Sequence, residues 1–310
     1  MTAEHWWKRR TACAHALMRE TFRSGMGSMQ RVEPSLAAAL QDLLARPGSL
    51  IRAVTAYQLG IEMGLAESSA RAMACGIEYL HTASLVFDDL PAMDDADMRR
   101  GAPSLHTVHG EAVAMLAALA VINRGYALLW QGIRGANPER RARAGEWVDD
   151  RLGPNGVIGG QAYDLRGWGA RQSAAEVSEV AARKTGDLLR LTLVLPALAG
   201  RASEREIQLL DRIGLLRGLA YQAADDLKDV LCADEESGKS SGRDAALGRP
   251  NLILAEGFQS ALRRFRKLRQ MGDRLQAALP GSAARWGMLA PLRVTLPTQE
   301  FSLPQPQQAV

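Results

Sequence analysis

One stretch of the sequence carries five carboxylates within ten residues, directly followed by two arginines: Leu85-Val86-Phe87-Asp88-Asp89-Leu90-Pro91-Ala92-Met93-Asp94-Asp95-Ala96-Asp97-Met98-Arg99-Arg100-Gly101. Carboxylates this close repel one another, and a divalent cation removes the repulsion. Mg²⁺ prefers a few carboxylates together with phosphate oxygens, and arginine donates paired hydrogen bonds to phosphate. The stretch therefore predicts a Mg²⁺–diphosphate site, although an acidic cluster taken alone is more often a solvated surface.

A second acidic cluster, residues 221–229, favours the metal site over the solvated surface. It reads Tyr-Gln-Ala-Ala-Asp-Asp-Leu-Lys-Asp. Asp225 and Asp229 are four residues apart, so on a helix they share one face. Apolar residues lie on both sides of the cluster, and charges on a largely buried helix need partners or metal. We expect the two clusters to form facing walls of one cavity.

Composition narrows the possible classes of protein. The 310 residues are rich in the helix formers Ala, Leu, Arg, Glu and Met, and the net charge is a modest +4. No basic stripe interleaved with aromatic residues is present, which argues against nucleic acid as a partner. The three cysteines are widely spaced and form no zinc-ligand pattern, which fits a reducing cytoplasm. The longest uncharged run, residues 112–123, is too short to span a membrane, so no membrane span is expected.

Apolar residues at three- and four-residue spacing predict an all-α fold, a single-domain helical bundle around a central apolar cavity. Helices are expected over residues 4–24, 34–45, 50–64, 68–87, 111–131, 139–151, 203–232 and 251–279, and another is expected to begin after a capping box at Ser173 and Glu176. Pro91 ends the fourth helix, and the resulting bend lets Asp88 and Asp94 converge. We assign residues 1–280 to this domain and residues 281–310 to a proline-containing, loosely ordered tail.

The two acidic clusters by themselves suggest a type of reaction. Metals held between two acidic rims neutralise a diphosphate and make it a better leaving group. If the diphosphate sits on an allylic carbon, its departure leaves a stabilised carbocation. Apolar walls below the rims would then exclude water and hold a hydrocarbon.

The sequence resembles the trans-isoprenyl diphosphate synthase (polyprenyl synthetase) family, and within it the bacterial farnesyl and geranylgeranyl diphosphate synthases of the carotenoid-pathway branch. The resemblance covers roughly residues 45–255 and rests on motifs in the family's order: the first acidic motif with Arg99-Arg100-Gly101, then Gly160-Gln161-Ala-Tyr-Asp164-Leu, Lys184-Thr185-Gly186, Gln222-x-x-Asp225-Asp226-x-x-Asp229 and Gly238-Lys239. It implies the type I isoprenoid synthase fold and a Mg²⁺-dependent prenyltransferase with three ions. Its substrates would be an allylic prenyl diphosphate and isopentenyl diphosphate, and the protein would be a cytoplasmic homodimer.

The same resemblance implies a role for each matching position. The metal ligands and their supports would be Asp88, Asp89, Asp94, Asp225 and Asp229. The allylic diphosphate would be bound by Arg99, Lys184 and Lys239, and isopentenyl diphosphate by Arg52, His81 and Arg100. Gln161 and Gln222 would line the reaction centre. The chain-length pocket would include Ala83, Ser84 and Phe87, where the small Ala83 implies a twenty-carbon product, geranylgeranyl diphosphate.

The sequence departs from the family pattern on the acceptor side. The family's Gly-Gly-Lys-Arg-x-Arg-Pro clamp is replaced here by Pro47-Gly48-Ser49-Leu50-Ile51-Arg52-Ala53. Phe87 replaces the usual histidine before the first aspartate, and Leu119 replaces an aspartate of the next helix. Two alternatives therefore stay open beside the synthase: a terpene synthase that ionises a single substrate, and a non-catalytic partner subunit of another synthase.

Overall fold

The structure is a computed structural model that describes residues 3–166, 168, 172–231 and 249–296. Its helices are α1 (Ala3–Ser24), α2 (Pro34–Ala45), α3 (Ile51–Glu62), α4 (Glu67–Asp88), α5 (Leu105–His109), α6 (Glu111–Ile133), α7 (Pro138–Leu152), α8 (Val157–Leu165), α9 (Ala174–Ala181), α10 (Asp187–Ala199), α11 (Glu204–Leu231), α12 (Leu252–Glu256) and α13 (Phe258–Ala277). A π-helical turn, Ala182–Gly186, joins α9 to α10. The predicted all-α fold is confirmed.

Local sequence signals set several helix ends. Pro34 and Pro138 each open a helix, where a missing backbone donor costs nothing. Ser173 and Glu176 form the predicted capping box at the start of α9. The single helix expected over 251–279 is divided at Gly257, whose φ of +78° is a conformation that favours glycine.

A two-stranded hairpin follows the first acidic motif, as a small exception to the predicted all-α fold. Strands β1 (Met98–Arg99) and β2 (Ala102–Pro103) pair in antiparallel fashion. The turn residues Arg100 and Gly101 have φ values of 53° and 77°, the pair of positive values that a tight hairpin of this kind requires.

The core is built on α4, which packs lengthwise against α6. The two helices approach so closely that a Cβ on Gly76 would lie 2.8 Å from the carbonyl oxygen of Gly125. Helices α3 and α10 cover other sides of α4, and α11 packs against α10 and α13. A second, smaller apolar cluster lies between α9, α11, α12 and α13. Helix α4 thus runs through the middle of the bundle and delivers Asp88 at its end.

Helix α6 has one buried face and one exposed apolar face. Within the part of the chain that the structure describes, it is also the one helix long and apolar enough to cross a membrane by length and composition. The uncharged run in the sequence ends at Asn123 because Arg124 follows, whereas the helix continues to Ile133. One such helix is weak evidence for a span, since α6 packs its other face against α4.

The loosely ordered tail predicted from residue 281 onward does not hold for residues 281–296. Ala283–Leu292 forms a 3₁₀ helix that packs against α1 and α3. It buries Trp286, Met288, Leu289 and Leu292, and burial of these large apolar groups stabilises an ordered conformation. Residues 297–310 lie outside the described residues.

Candidate active site

The first acidic motif folds back on the end of α4. The helix ends at Asp88, as predicted, and Asp89 caps it. The backbone amide of Asp94 donates to the carbonyl oxygen of Asp88 at 2.9 Å, and the amide of Asp95 donates to that of Leu90. The bend after Pro91 therefore brings Asp88 and Asp94 together, although on an unbroken helix they would lie on different faces.

Asp88 is a half-buried carboxylate in strongly charged surroundings. Burial raises its pKa to about 6; Lys184 and Arg99 act to lower the value, whereas Asp94 and Asp164 raise it further. The negative charges of Asp94 and Asp164 therefore oppose ionisation of Asp88, and the positive charges of Lys184 and Arg99 favour it. Oxygen donors of this kind fit Mg²⁺.

Lys184 faces this cluster from the π-helical turn. Its Nζ donates to Asp164 of α8 at 2.6 Å. Burial alone would lower the pKa of Lys184, but Asp88 and Asp164 outweigh that effect and raise it. π-Turns often occur at functional sites. Neither this turn nor the role of Asp164 was predicted, although the sequence analysis had quoted both segments.

Gly160 explains how α8 reaches Lys184. A Cβ at Gly160 would lie 2.4 Å from the backbone nitrogen of Lys184, which is far too close for any side chain. Close packing of α8 against the π-helical turn therefore requires glycine at this position. On the same helix, Gln161 donates from Nε2 to the sulfur of Met93 at 3.6 Å, which places this predicted reaction-centre residue against the first acidic motif.

Asp89 faces another side of α4 and is bound to Arg99. Nε of Arg99 donates to its two oxygens at 2.8 and 3.2 Å, and Nη2 of the same arginine makes a further contact. Asp89 is almost fully buried. Asp89 therefore positions Arg99, and its carboxylate faces a different side of α4 from the carboxylate of Asp88.

Arg249 is a site residue that the sequence did not predict. One terminal nitrogen, Nη2, donates to Asp94 Oδ1 at 2.7 Å and to the Met93 carbonyl at 2.8 Å. The other, Nη1, donates to the Asp164 carbonyl at 3.3 Å. Arg249 therefore ties the first acidic motif to α8. It lies 155 residues from Asp94, so only the fold reveals the contact.

The second acidic motif lies near the same place. Asp226 is fully buried and accepts from the amide of Leu252 at 2.8 Å and from Gln222 at 2.9 Å. Gln222 in turn accepts from the hydroxyl of Thr185, next to Lys184, at 3.3 Å. Asp225 and Asp229 are half-buried on this helix. Gln222 thus links the second motif to the π-helical turn that carries Lys184.

Among the described residues, no group of three or more His, Cys, Asp or Glu side chains lies close enough to share one ion. Asp94 is held by Arg249, and Asp164 by Lys184. The predicted diphosphate ligand Lys239 lies outside the described residues. The metal roles assigned to the five aspartates therefore stay predictions.

Of the predicted acceptor residues, His81 lies on α4 seven residues before Asp88, and Arg52 lies on α3. Nη1 of Arg52 contacts Nε2 of His81 at 3.2 Å. Burial lowers the pKa of His81 well below its usual value, and the neighbouring Arg52 adds to this effect. Glu78, buried beneath them, accepts from the amide of Ala53 at 3.1 Å. Arg100 lies against Gly48, where a Cβ would be 1.9 Å from Nη1.

Two departures from the family pattern have structural explanations. Leu50 is fully buried and has φ of 54°, so its side chain fills the core instead of the diphosphate clamp. Leu119 lies on the outer face of α6 and is 53% exposed. We had placed Leu119 on the acceptor side, and this was wrong, since the side chain is turned away from the bundle.

The residues of the predicted chain-length pocket lie on α4 as expected. Ala83 is fully buried, whereas Ser84 and Phe87 are half-buried. The Ser84 hydroxyl donates to the carbonyl of His81 at 2.8 Å. Only Ser84 and Phe87 present accessible surface.

Comparisons with known proteins identify the family of this chain. The family model described as polyprenyl synthetase matches residues 33–277. A geranylgeranyl pyrophosphate synthase of Arabidopsis thaliana is 39% identical over 65% of this chain and 58% of its own. A farnesyl diphosphate synthase of Geobacillus stearothermophilus is 36% identical over 61% of this chain and 65% of its own. The matches thus span about six tenths of the length of these relatives.

The fold is also similar to that of solved structures. A geranyltransferase of Helicobacter pylori, complexed with magnesium and isoprenyl diphosphate, has a TM-score of 0.76 at 24% identity, covering 94% of this chain and 96% of its own. Because the family model matches well over half of the chain, this protein belongs to the polyprenyl synthetase family.

Proposed function

We propose that the protein is a Mg²⁺-dependent prenyltransferase that joins an allylic diphosphate to isopentenyl diphosphate. The observation that carries the proposal is the convergence of Asp88 and Asp94 with Lys184, a cation flanked by carboxylates. The relatives named as farnesyl and geranylgeranyl diphosphate synthases support it.

Asp88 and Asp94, with Asp225 and Asp229 from the second motif, would hold the metal ions. Bound Mg²⁺ neutralises the diphosphate and so makes it a better leaving group. Lys184 and Arg99 would bind the oxygens of the allylic diphosphate, each with a donor that its carboxylate partner already orients. Such preorganisation lowers the cost of binding.

Gln161 and Gln222 are fixed by Met93 and Thr185. They would orient the reacting carbons without supplying a charge that could trap a cation. Apolar residues of α4 would shield the carbocation from water. His81 would stay neutral beside Arg52, because its pKa is lowered.

One assay tests the proposal. The purified protein is incubated with Mg²⁺ and geranyl or farnesyl diphosphate, with and without isopentenyl diphosphate. A longer prenyl diphosphate that forms only with isopentenyl diphosphate is the expected product. A hydrocarbon or alcohol formed without it would replace the proposal by a terpene synthase, which the degraded clamp at Ser49 and Leu50 favours. No diphosphate release, with stimulation of another synthase, would indicate a partner subunit.

The proposed product has twenty carbons. Ala83 supports this, because a bulky aromatic five residues before Asp88 would shorten the space for the growing chain. In Ala83→Phe we expect products to shift toward fifteen carbons, measured by chromatography after dephosphorylation. Ala83 is fully buried, so overpacking should also destabilise the variant by about 1–3 kcal/mol. An unchanged product in a folded variant would remove Ala83 from the chain-length pocket.

We further propose that two copies of the chain associate through α6. From Ala112 to Gln131 only Arg124 is charged, and its Nε donates to the carbonyl of Gly25 at 2.6 Å. Met115, Leu116, Leu119 and Trp130 are between 39% and 54% exposed. An apolar face of this extent is typical of an interface.

A further inference from the structure

A pocket rich in arginines lies beside the turn where the family's clamp is degraded. Its volume is about 400 Å³, within the range of small-molecule sites. Five arginines line it: Arg19 and Arg23 of α1, Arg46 after α2, and Arg99 and Arg100 of the hairpin. Asp89 is the one carboxylate among its lining residues.

Of the three predicted acceptor residues, only Arg100 lines this pocket. Arg52 and His81 contact each other outside its wall. The residues in the positions of the clamp's lysine and first arginine are Ser49 and the buried Leu50. Three of the five arginines around this pocket, Arg19, Arg23 and Arg46, therefore come from elements outside the family motifs.

Helix α1 is fixed next to that turn. His15 contacts the carbonyl oxygen of Ser49 through Nε2 at 3.1 Å. Arg19 and Arg23 follow at intervals of four residues, so they lie on the same side of α1 as His15. The helix therefore presents two arginines at the turn that lacks its usual lysine.

Two of the five arginines are already occupied by protein groups. Arg99 is paired with Asp89, and Arg46 with Asp42 and the carbonyl of Pro103. In the described part of the chain, Arg19, Arg23 and Arg100 form no hydrogen bond or ion pair with a protein group, although the charge of Arg100 acts on the buried Glu78. Guanidinium groups that are not paired with a carboxylate, around a concave surface, are suited to a multiply charged phosphate.

The remaining lining is apolar and includes Leu43, Leu85, Val86 and Leu105. A pocket with cations at one part and aliphatic side chains at another suits a short hydrocarbon that carries a diphosphate. A nucleotide would instead require partners for its base and ribose. Isopentenyl diphosphate has the matching chemistry.

We infer that Arg19 and Arg23 of α1, together with Arg100, bind the diphosphate of isopentenyl diphosphate in this pocket, and so replace the degraded clamp. This inference rests on the proposed function for the identity of the ligand. The N-terminal helix thereby becomes part of the acceptor site. Because its arginines are exposed, their replacement should leave the fold intact.

The test uses the full chain with Arg19→Gln and Arg23→Gln combined. Removal of each charge-assisted hydrogen bond should weaken binding about tenfold or more. We therefore expect the KM for isopentenyl diphosphate to rise by about 100-fold, while the KM for the allylic diphosphate and the melting temperature stay the same. Arg9→Gln, an exposed arginine on the same helix outside the pocket, is the matched control and should change neither KM.

A rescue variant separates a direct interaction from an indirect effect. Adding Ser49→Lys to the double variant restores a cation at the turn, and we expect it to recover a large part of the affinity. An unchanged KM for isopentenyl diphosphate in the double variant would overturn the inference. So would an equal rise of both KM values.

Calorimetric titration with inorganic pyrophosphate, in the presence of EDTA, tests the role of Arg19 and Arg23 in binding even if the wild type forms no product. The double variant should then lose binding that Arg9→Gln retains. Failure of the proposed function would appear as an inactive wild type. Failure of this inference would appear as unchanged pyrophosphate binding in the double variant.

Discussion

Asp88 is the single residue on which the proposed chemistry most depends. It ends α4, is half-buried, and lies beside Asp94 and Lys184. Burial of a carboxylate next to two others is costly unless a cation compensates it. A fold that keeps this arrangement therefore gains from a bound cation.

Replacement of Asp88 by asparagine should abolish turnover and spare the fold. Residues that merely support metal ligands cost about 10–100-fold in metal affinity or activity, so we expect a decrease of more than about 100-fold in kcat. The melting temperature should not fall, since a buried repulsion is removed. Asp97→Asn, an exposed aspartate of the same segment, is the control and should retain activity. Full activity of Asp88→Asn would remove Asp88 from the metal site.

How far the sequence predicts the site depends on the separation of the residues involved. Asp88, Asp94 and Pro91 are close in sequence, so the bend and the convergence could be predicted from residue chemistry. Arg249 meets Asp94 across 155 residues, and no local pattern indicates that contact. The arginines of α1 were likewise missed, because helical spacing shows that they share a face but not what they face.

At the scale of secondary structure elements, the junction of α8 with the π-helical turn positions Lys184. The turn inserts one extra residue per hydrogen-bonded ring, a local irregularity that hydrophobic periodicity does not reveal. Glycine at position 160 allows the backbones to touch. Hydrophobic spacing does not show which backbone Gly160 approaches, and only the fold reveals that it is the backbone of Lys184.

Gly160→Ala should therefore impair both stability and activity. Its Cβ would meet backbone atoms, which cannot rotate away, so α8 must shift. We expect a decrease of about 1–3 kcal/mol in unfolding free energy and a fall in kcat, because Lys184 and Asp164 move apart. Urea titration and steady-state kinetics measure the two effects. The control is Gly135→Ala, since no atom lies within 4 Å of its Cβ position. Equal behaviour of the two variants would contradict the close approach of the backbones.

The carbonyl groups at the C-terminal end of α10 are bound by one arginine of α7. Arg140 of α7 donates to the carbonyl oxygens of Ala197, Leu198, Gly200 and Ala202 at 2.8 to 3.4 Å. These include carbonyls that a helix terminus leaves without partners. A single guanidinium thus closes the end of a core helix far from the acidic motifs.

Arg140→Gln should lower stability without changing the chemistry. Without the guanidinium, several carbonyls are left partly unsatisfied, and we expect a decrease of about 1–3 kcal/mol in unfolding free energy. Thermal unfolding measures it, with Arg141→Gln, an exposed neighbour, as the control. The kcat at 25 °C should be that of the wild type. A stability equal to the control would show that water satisfies these carbonyls.

At the scale of the whole molecule, the exposed apolar face of α6 determines whether the bundle associates with a second copy or with a membrane. The helix is long and apolar enough to cross a membrane, but its buried face packs against α4. A second copy would cover the exposed face and leave the core unchanged. Insertion into a membrane would require α6 to separate from α4.

Leu116→Glu combined with Leu119→Glu should therefore convert a dimer into a monomer. Charges introduced at 54% and 53% exposed positions cost little in the isolated chain but would be buried without partners in an interface. Light scattering after size exclusion, at one fixed protein concentration, measures the mass. Leu254→Glu, an apolar residue that is 58% exposed on α12, is the matched control and should remain dimeric. A monomeric wild type, or a double variant that stays dimeric, would contradict the α6 interface. Co-sedimentation of the wild type with lipid vesicles would instead favour a membrane as the cover of this face, because a closed dimer would leave little apolar surface for lipid.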